Sequence, residues 1–404
     1  MKNRLSIKTS NMSVLAINSG SSSIKFDLYR TDGPLERILN GKVDRIGLKG
    51  TSMDFNNLTK KKKGNLRIEI SDHKSVANFL IDWLEKQIDF SSISGVGHRV
   101  VFGMKHTDPE LITDELLNEL HRIIPYDSDH LPAEIELIEV FSQRYPNLKQ
   151  VACFDTAFHR TMPRVAKLLP IPRRFDKIGI QRYGFHGLSY AYLIEELVRV
   201  AGKRVGKGRV ILAHLGNGAS LAAVHKGKSV DTSMGFTPAG GMIMGTRPGD
   251  LDPGVAWYVM KSENLTPKQF NNLINHESGL LGISETSSDM RDLLAKESND
   301  IRAAEAVELF CYQAKKWIGA FAAALGGLDT LVFAGGIGEN CPVIRSRICK
   351  DLGFLGIGLD EKQNRKNAPI ISKEKKSVAV RVIQTDEEWM IVKTVSQVLN
   401  IAKK

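Results

Sequence analysis

Short apolar runs separated by turns of small polar residues open the chain. Val14–Asn18 reads as a buried strand, and Ile24–Tyr29 as a second with alternating character. Ser19-Gly20-Ser21-Ser22-Ser23 joins them with the composition of a tight turn. The same design returns half a chain later as the strand Val210–Leu215, the turn Gly216-Asn217-Gly218 and the returning strand Ala219–Val224. A third apolar run, Thr330–Gly335, leads into a glycine-rich turn and then a helix from Pro342. Two hairpins of one design, so far apart, predict two structurally similar lobes. Helical periodicity fills the intervals, over Ser75–Ile88, Leu111–Ile124, Leu188–Val200, Ala303–Leu325 and Glu387–Ile401. Together with the strand Gln150–Phe154, this alternation predicts an α/β architecture. The lobe boundary is placed after that strand. Residues 1–155 plus 386–404 then form one lobe, to which the last helix returns, and residues 156–385 form the other.

Composition narrows the class. Of 404 residues, 42% are hydrophobic and 25% charged, ordinary values for a globular chain. The net charge of +11 is partly concentrated in Lys60–Lys63 and Lys403–Lys404, which read as a solvated loop and a tail. No basic helix with interleaved aromatics accompanies it, which argues against nucleic acid as a partner. An electropositive surface suits an anionic substrate such as a nucleotide or a carboxylate. Cys153, Cys311, Cys341 and Cys349 form no CxxC pair, which fits free thiols in a reducing cytoplasm. Met1–Met12 lacks the apolar run of a secretory signal. The most hydrophobic stretch, Trp317–Gly338, is interrupted by Asp329 and several glycines. It reads as a buried helix end followed by a buried strand, not as a membrane span.

Candidate chemistry begins at Asn18-Ser-Gly-Ser-Ser-Ser-Ile-Lys25. Small residues let backbone N–H groups and hydroxyls approach an anion, and Lys25 adds a positive charge. The segment lacks the GxxxxGK[ST] of a Walker A loop, and a plain polar hairpin turn also accounts for it. His214-Leu-Gly-Asn-Gly218 and Gly335-Gly-Ile-Gly-Glu-Asn340 are two further candidate phosphate cradles, or simply turns at strand ends.

Taken together, these segments resemble the signatures of the acetate kinase family. Asn18-x-Gly20-Ser21-Ser22-Ser23-x-Lys25 matches the first signature, and Asp231-Thr-Ser-Met-Gly-Phe-Thr-Pro238 leading into Met244-Gly-Thr-Arg247 matches the second. Gly97-His-Arg-Val-Val101, Phe154-Asp-Thr-Ala-Phe-His159, Tyr183-Gly-Phe-His-Gly187, His214–Gly218, Ser288-Asp-Met-Arg291, Gly336–Asn340 and Thr385-Asp-Glu-Glu388 follow in family order. The resemblance implies the sugar kinase, actin and heat-shock ATPase fold (ribonuclease H-like), with two similar lobes around a nucleotide cleft. It implies a cytoplasmic homodimer that moves the γ-phosphoryl group of ATP to acetate, reversibly, with Mg2+ or Mn2+.

Roles follow from the same resemblance. Arg99 and Arg247 would hold the acyl carboxylate and the moving phosphoryl group, a task suited to the planar guanidinium fork. His186 would donate to the phosphoryl oxygens. Asp155 and Glu387, with Asn18 nearby, would organise the metal, as befits a hard ion that takes one or two carboxylates. Val101, Tyr126, Phe185 and Pro238 would line the acyl pocket. Lys25, His214, Leu215, Gly216, Asn217, Gly218, Asp289, Met290, Arg291, Gly336, Ile337, Gly338, Glu339 and Asn340 match nucleotide-binding positions. Thr385-x-x-Glu388 also reads as a capping box, which would account for Glu388 and leave Glu387 as the ligand.

Two segments depart from the family. The usual His-Gly-Gly after the Arg-Val-Val strand is Phe102-Gly103-Met104 here, and Leu-Ala-Pro-Leu-His-Asn-Pro becomes Ile123-Ile-Pro-Tyr-Asp-Ser-Asp129. Tyr126 thus stands for a leucine and Asp127 for a histidine beside the acyl pocket, either narrowing it or opening it if the loop swings outward. Acetate or propionate is favoured over longer acids, and the runner-up among enzymes is a kinase for propionate, butyrate or another larger short-chain acid. An ATP-driven conformational protein of the same fold is the alternative of another class, but it has no need of Arg99, Arg247 and His186.

Overall fold

The computed structural model describes residues 12–20, 23–47, 49–70 and 72–401. Ser21 and Ser22 of the first turn, the start of the Met1–Met12 segment, and Lys403–Lys404 lie outside the described residues. The chain divides into two units, Met1–Ala157 with Asp386–Lys404, and Phe158–Thr385.

In the first unit, β1 (Ser13–Ser19), β2 (Ser23–Arg30), β3 (Glu36–Asp44), β4 (Ser52–Asn57), β5 (Lys62–Arg67), β6 (Ile93–Val100), β7 (Glu110–Leu111) and β8 (Gln150–Phe154) form a sheet. Its order is β5-β4-β3-β2-β1-β6-β8-β7. β1 is buried along its length, as the apolar run Val14–Ile17 requires of a central strand, and the polar Ser13, Asn18 and Ser19 are buried with it. It pairs antiparallel with β2 and parallel with β6, which pairs parallel with β8. Helices α1 (His73–Gln87), α2 (Asp114–Ile123) and α3 (Leu131–Arg144) belong to this unit. α1 is capped by Asp72, which accepts from Ser75 N–H, and its Trp83 packs edge-on to Phe26 of β2. The last helix, Glu387–Val398, lies against β1 and β6. Gly95 and Gly97 make that approach possible. A Cβ on Gly97 would fall 2.4 Å from Cγ2 of Ile391, and one on Gly95 would fall 2.4 Å from Cδ1 of Leu399.

The second unit holds β9 (Arg209–Leu215), β10 (Ala219–His225), β11 (Lys228–Thr232), β12 (Thr330–Ala334) and β13 (Ala379–Val382), in the order β11-β10-β9-β12-β13. A three-stranded antiparallel meander followed by two parallel strands repeats the inner run β3-β2-β1-β6-β8 of the first sheet. Both predicted hairpins therefore occupy equivalent places in two sheets of one topology. α4 (Gly187–Ala201) packs Tyr190, Leu193 and Leu197 on Val210, Leu212 and Val224. α5 (Ile301–Ala324) starts from an Asp300 cap. No helix among the described residues is long and apolar enough to cross a membrane.

The structure corrects four local expectations. Lys62 and Lys63 belong to β5 and pair with Asn57 and Asn56, so only the start of the lysine run is a turn. Leu111 lies in β7, and the following helix starts at Asp114 because Thr113 caps it by accepting from Leu116 N–H. The glycine-rich segment Gly335–Asn340 is a short helix, α6, in which only Gly335 has positive φ, and it runs up to α7 (Pro342–Cys349). No Thr385–Glu388 capping box forms. Asp386 caps the last helix by accepting from Trp389 N–H, while the Thr385 hydroxyl meets Ser189.

The helix-on-strand contact carries a stability consequence. Gly97→Ala forces Ile391 and Val395 aside and is expected to cost about 1–3 kcal/mol, as overpacking does. A fall in thermal midpoint is the measurement, and an unchanged midpoint would mean that the last helix yields freely.

Candidate active site

The end of β1 and the start of the last helix bring the first group together. Nδ2 of Asn18 donates to Oε2 of Glu387 and to Oε1 of Glu388, both at 2.9 Å. Lys25, the cross-strand partner of Asn18, places Nζ 3.8 Å from Oε1 of Glu388. The pull of Glu388 raises the Lys25 pKa against the opposing effect of burial. Glu388, expected to be tied up in a cap, is therefore a neighbour of Asn18 on equal terms with Glu387. The helix start is fixed from outside by Arg37 of β3, which meets Asp386 (Nη2···Oδ2 2.6 Å) and the buried Asp27 (Nε···Oδ2 2.6 Å). Burial pushes the Asp27 carboxyl up to about 8 despite Arg37.

A second group sits where β6 and β8 end. Arg99 Nη2 donates to Oδ2 of the fully buried Asp155 at 2.9 Å, and Asp155 N–H donates to Val100 O at 2.9 Å. Burial opposes the Arg99 charge, but Asp155, Glu387 and Glu134 hold its pKa above the usual arginine value. Val101, buried, follows the strand end, and Tyr126 closes a short 3-10 turn before the half-buried Asp129. Asp127 is buried and accepts from His130 Nδ1 at 2.9 Å.

In the second unit, two histidines are set by hydroxyls. His186, at φ 57°, precedes α4 in a left-handed conformation that costs a non-glycine residue free energy and re-aims its ring. Its Nδ1 bonds Ser220 Oγ at 2.7 Å, and the Ser220 hydroxyl also meets the Tyr190 hydroxyl. The ring stacks on that of His214, with centroids 4.3 Å apart, and His214 Nδ1 bonds Ser189 Oγ at 2.8 Å. Arg247 Nη1 donates to Pro238 O at 2.8 Å. A Cβ on Gly218 would lie 3.2 Å from both Arg247 Nη2 and His186 Nε2, so the turn after β9 needs glycine where these two donors converge.

The other nucleotide candidates of this unit cluster with less uniform roles. Gly245 N–H donates to Asn217 O, and a Cβ on Gly245 would meet Asn217 Oδ1 at 2.1 Å and Ser288 O at 3.2 Å. The segment Asp289–Arg291 thus adjoins Asn217. Asp289 caps the helix Met290–Lys296 and pairs with Arg291, while the Met290 side chain is buried, leaving its backbone as the available part. Gly216 and Gly336 approach each other, since a Cβ on Gly216 would lie 3.8 Å from Gly336 N. Glu339 accepts from Gly335 and Thr385 N–H groups, and Asn340 donates to Gly336 O. Leu215 and Gly338 are buried, Ile337 is half-buried, and Phe185 is buried beside His186.

Sequence reasoning did not single out Ser189, Ser220 and Tyr190, which orient the histidines, or Glu134. It also passed over Arg345, whose fully buried guanidinium donates to Gly338 O, Glu339 O and Asn364 and so fixes α6. The helical spacing of Tyr190 after His186 was the one local signal, since Ser189 bonds His214 and Ser220 lies on β10, both far along the chain.

Residues 13–393 match the profile of the acetokinase family. The acetate kinase of Thermoanaerobacterium thermosaccharolyticum is 42% identical over 97% of this chain and 100% of its own length. The propionate kinase of Citrobacter rodentium is 42% identical over 95% of this chain and 96% of its own. A propionate kinase structure from Francisella tularensis superposes with a TM-score of 0.88 at 36% identity, covering 95% of this chain and 98% of that one. The Porphyromonas gingivalis acetate kinase structure gives 0.84 at 37% identity over 96% and 100%. The fold is accordingly the two-lobed α/β architecture of the sugar kinase, actin and heat-shock ATPase superfamily. On its sequence and its fold alike, the chain belongs to the acetokinase family.

Proposed function

We propose that this protein is an acetate kinase, transferring the γ-phosphoryl group of ATP reversibly to acetate to give acetyl phosphate and ADP. The observation that carries the reading is the pair of cationic sets within the family framework. Arg99 is fixed by buried Asp155 in one unit, and Arg247 converges with His186 on the Gly218 turn in the other. In the reaction a carboxylate oxygen forms a bond to the γ-phosphorus while the bond from phosphorus to the β,γ-bridging oxygen breaks, and ADP leaves with that electron pair. The nucleophile carries no proton near neutrality, so no general base is needed. Catalysis then rests on positioning and charge stabilisation. Arg99 orients the acyl carboxylate, and Arg247 and His186 stabilise the equatorial oxygens of the moving group. Asp155 holds Arg99 in place. The glycine turn of His214–Gly218 and the short helix α6, with Asp289–Arg291, take the nucleotide.

Asn18, Glu387 and Glu388 converge, offering the few hard oxygen donors that Mg2+ takes while keeping several waters. Mg2+ or Mn2+ held there by Asn18 and Glu387, with Asp155 in support, would neutralise phosphate charge. Free thiols at all four cysteines agree with a cytoplasmic enzyme. A homodimer is supported by the helix Pro253–Ser262, which buries none of its residues and leaves Trp257 and Tyr258 65% and 66% exposed. Propionate remains the second reading, because a propionate kinase and an acetate kinase are equally similar to this chain, while the bulk of the half-buried Tyr126 and the buried Phe102 beside Val101 favours the shorter acid.

Acyl phosphate formation from a panel of short carboxylates tests the assignment. Arg99→Ala and Arg247→Ala should each lower turnover by about 3–4 kcal/mol of barrier, near 100- to 1,000-fold, with ATP affinity nearly unchanged. Wild-type rates in both variants would refute the reading.

The metal assignment is tested separately. Asn18→Ala and Glu387→Ala should raise the Mg2+ concentration needed for half-maximal rate. Asp386→Ala should instead lower thermal stability by about 0.5–2 kcal/mol through the lost cap. An identical metal requirement in all three would reassign the site.

Substrate choice turns on Tyr126. Acetate and propionate should be preferred to butyrate, and Tyr126→Leu should shift the ratio of specificity constants toward the longer acids. Apolar pockets separate one methylene by only about 1–3 kcal/mol, so the shift is a change of ranking rather than a switch. An unaltered ranking would remove Tyr126 from the pocket.

A further inference from the structure

β6 keeps its ladder with β8 up to its last residue, Val100. Val100 O still receives Asp155 N–H, but Val101 lies beyond the strand, and its N–H has no sheet partner. That donor goes to Oε2 of Glu134, in the first turn of α3, at 3.0 Å. A buried N–H left unpaired is costly, so Glu134 takes the place of a missing strand and keeps Val101 in register with Arg99, two residues earlier on the same face. Glu134 is itself only 2% exposed. Its other oxygen, Oε1, is buried without a hydrogen-bond partner, as are Arg99 Nε and Asp127 Oδ2.

We propose that Glu134 is a positioning residue for the acyl substrate: by accepting from Val101 N–H it holds the end of β6, and with it Val101 and Arg99, in place for the incoming carboxylate. This rests on the carboxylate kinase reading. The groups that face Glu134 are Arg99 of β6, Asp155 after β8 and Asp127 of the loop before α3, the last paired with His130. Burial, helped by the two acids and opposed by Arg99 and the Val101 N–H, pushes the Glu134 carboxyl up to about 8. In either form an oxygen of Glu134 remains to accept from Val101 N–H.

The experiment measures kcat, KM for acetate and KM for ATP in the wild type, Glu134→Gln and Glu134→Ala. Glu134→Ala leaves the Val101 N–H unpaired, and its KM for acetate should rise about tenfold while KM for ATP moves little. Glu134→Gln keeps an oxygen for Val101, and its KM for acetate should stay within about twofold of the wild type. An unchanged KM for acetate in Glu134→Ala, or an equal rise of both KM values, would overturn the inference while leaving the kinase assignment standing. A wild-type protein that phosphorylates no carboxylate would overturn both. Where Glu134→Ala does not fold, Glu134→Asp, one methylene short of the Val101 N–H, takes its place with the same expected rise.

Discussion

The ion pair of Arg99 and Asp155 sets the terms for the first unit. Removing both charges from water is expensive, and the cost is recovered only if geometry and further hydrogen bonds are good. The parallel pairing of β6 with β8 provides the geometry, since Arg99 lies opposite Cys153 and Asp155 follows the strand end. Asp155 spends its own N–H on Val100 O, so one residue fixes both the backbone and the guanidinium. Approach of the last helix to β6 depends on Gly95 and Gly97, and that helix carries Glu387, which also acts on Arg99. Strand register, two glycines and a returning helix thus serve one buried cation.

The second unit solves a similar problem with neutral groups. Ser220 lies opposite His214 in the β9–β10 register and bonds His186, while Ser189 of α4 bonds His214. Two stacked imidazoles are thereby oriented by two hydroxyls, each on a rigid element. Strain at His186 is compatible with this, because the ring's partners over-determine its position. Hydroxyls can donate or accept, so the pair tolerates either tautomer and leaves Nε2 of His186 directed toward the Gly218 turn.

Elements with a strong period were legible in the sequence: the two hairpins, α1, α4, α5 and the last helix. Arg99 at the end of an apolar strand and His186 before a helix could be picked out, although their importance came from resemblance and not from pattern. The meander β3–β5 was not legible, because Lys62, Lys63 and Gly64 look like a loop and form a strand only through pairing with β4. The cap of the last helix was misread because Thr385 and Asp386 both suit that place, and the choice falls to Asp386 through Arg37, distant in sequence. Glu134, Ser220 and Arg345 escaped for the same reason. Each acts on a backbone group or ring far along the chain, and local periodicity carries no trace of such a partner.

The segment that departs from the family, Ile123–Asp129, ends in a set of acids and a histidine whose charges are not independent. Asp127 accepts from His130, and this draws part of its charge away from Glu134. Glu134 in turn can remain buried because Arg99 and the Val101 N–H face it. Asp155, Glu387 and Glu134 act on the Arg99 guanidinium, while Asp127 and Asp155 act on Glu134, and like charges nearby disfavour its ionised form. Asp155 has the direct bond to Arg99, whereas Glu134 meets only the Val101 N–H and burial raises its pKa. A neutral residue in place of Asp127 would ease that repulsion and let Glu134 ionise at lower pH. The histidine usual at position 127 in the family and the aspartate found here therefore differ in how much of the Arg99 charge they leave for a substrate.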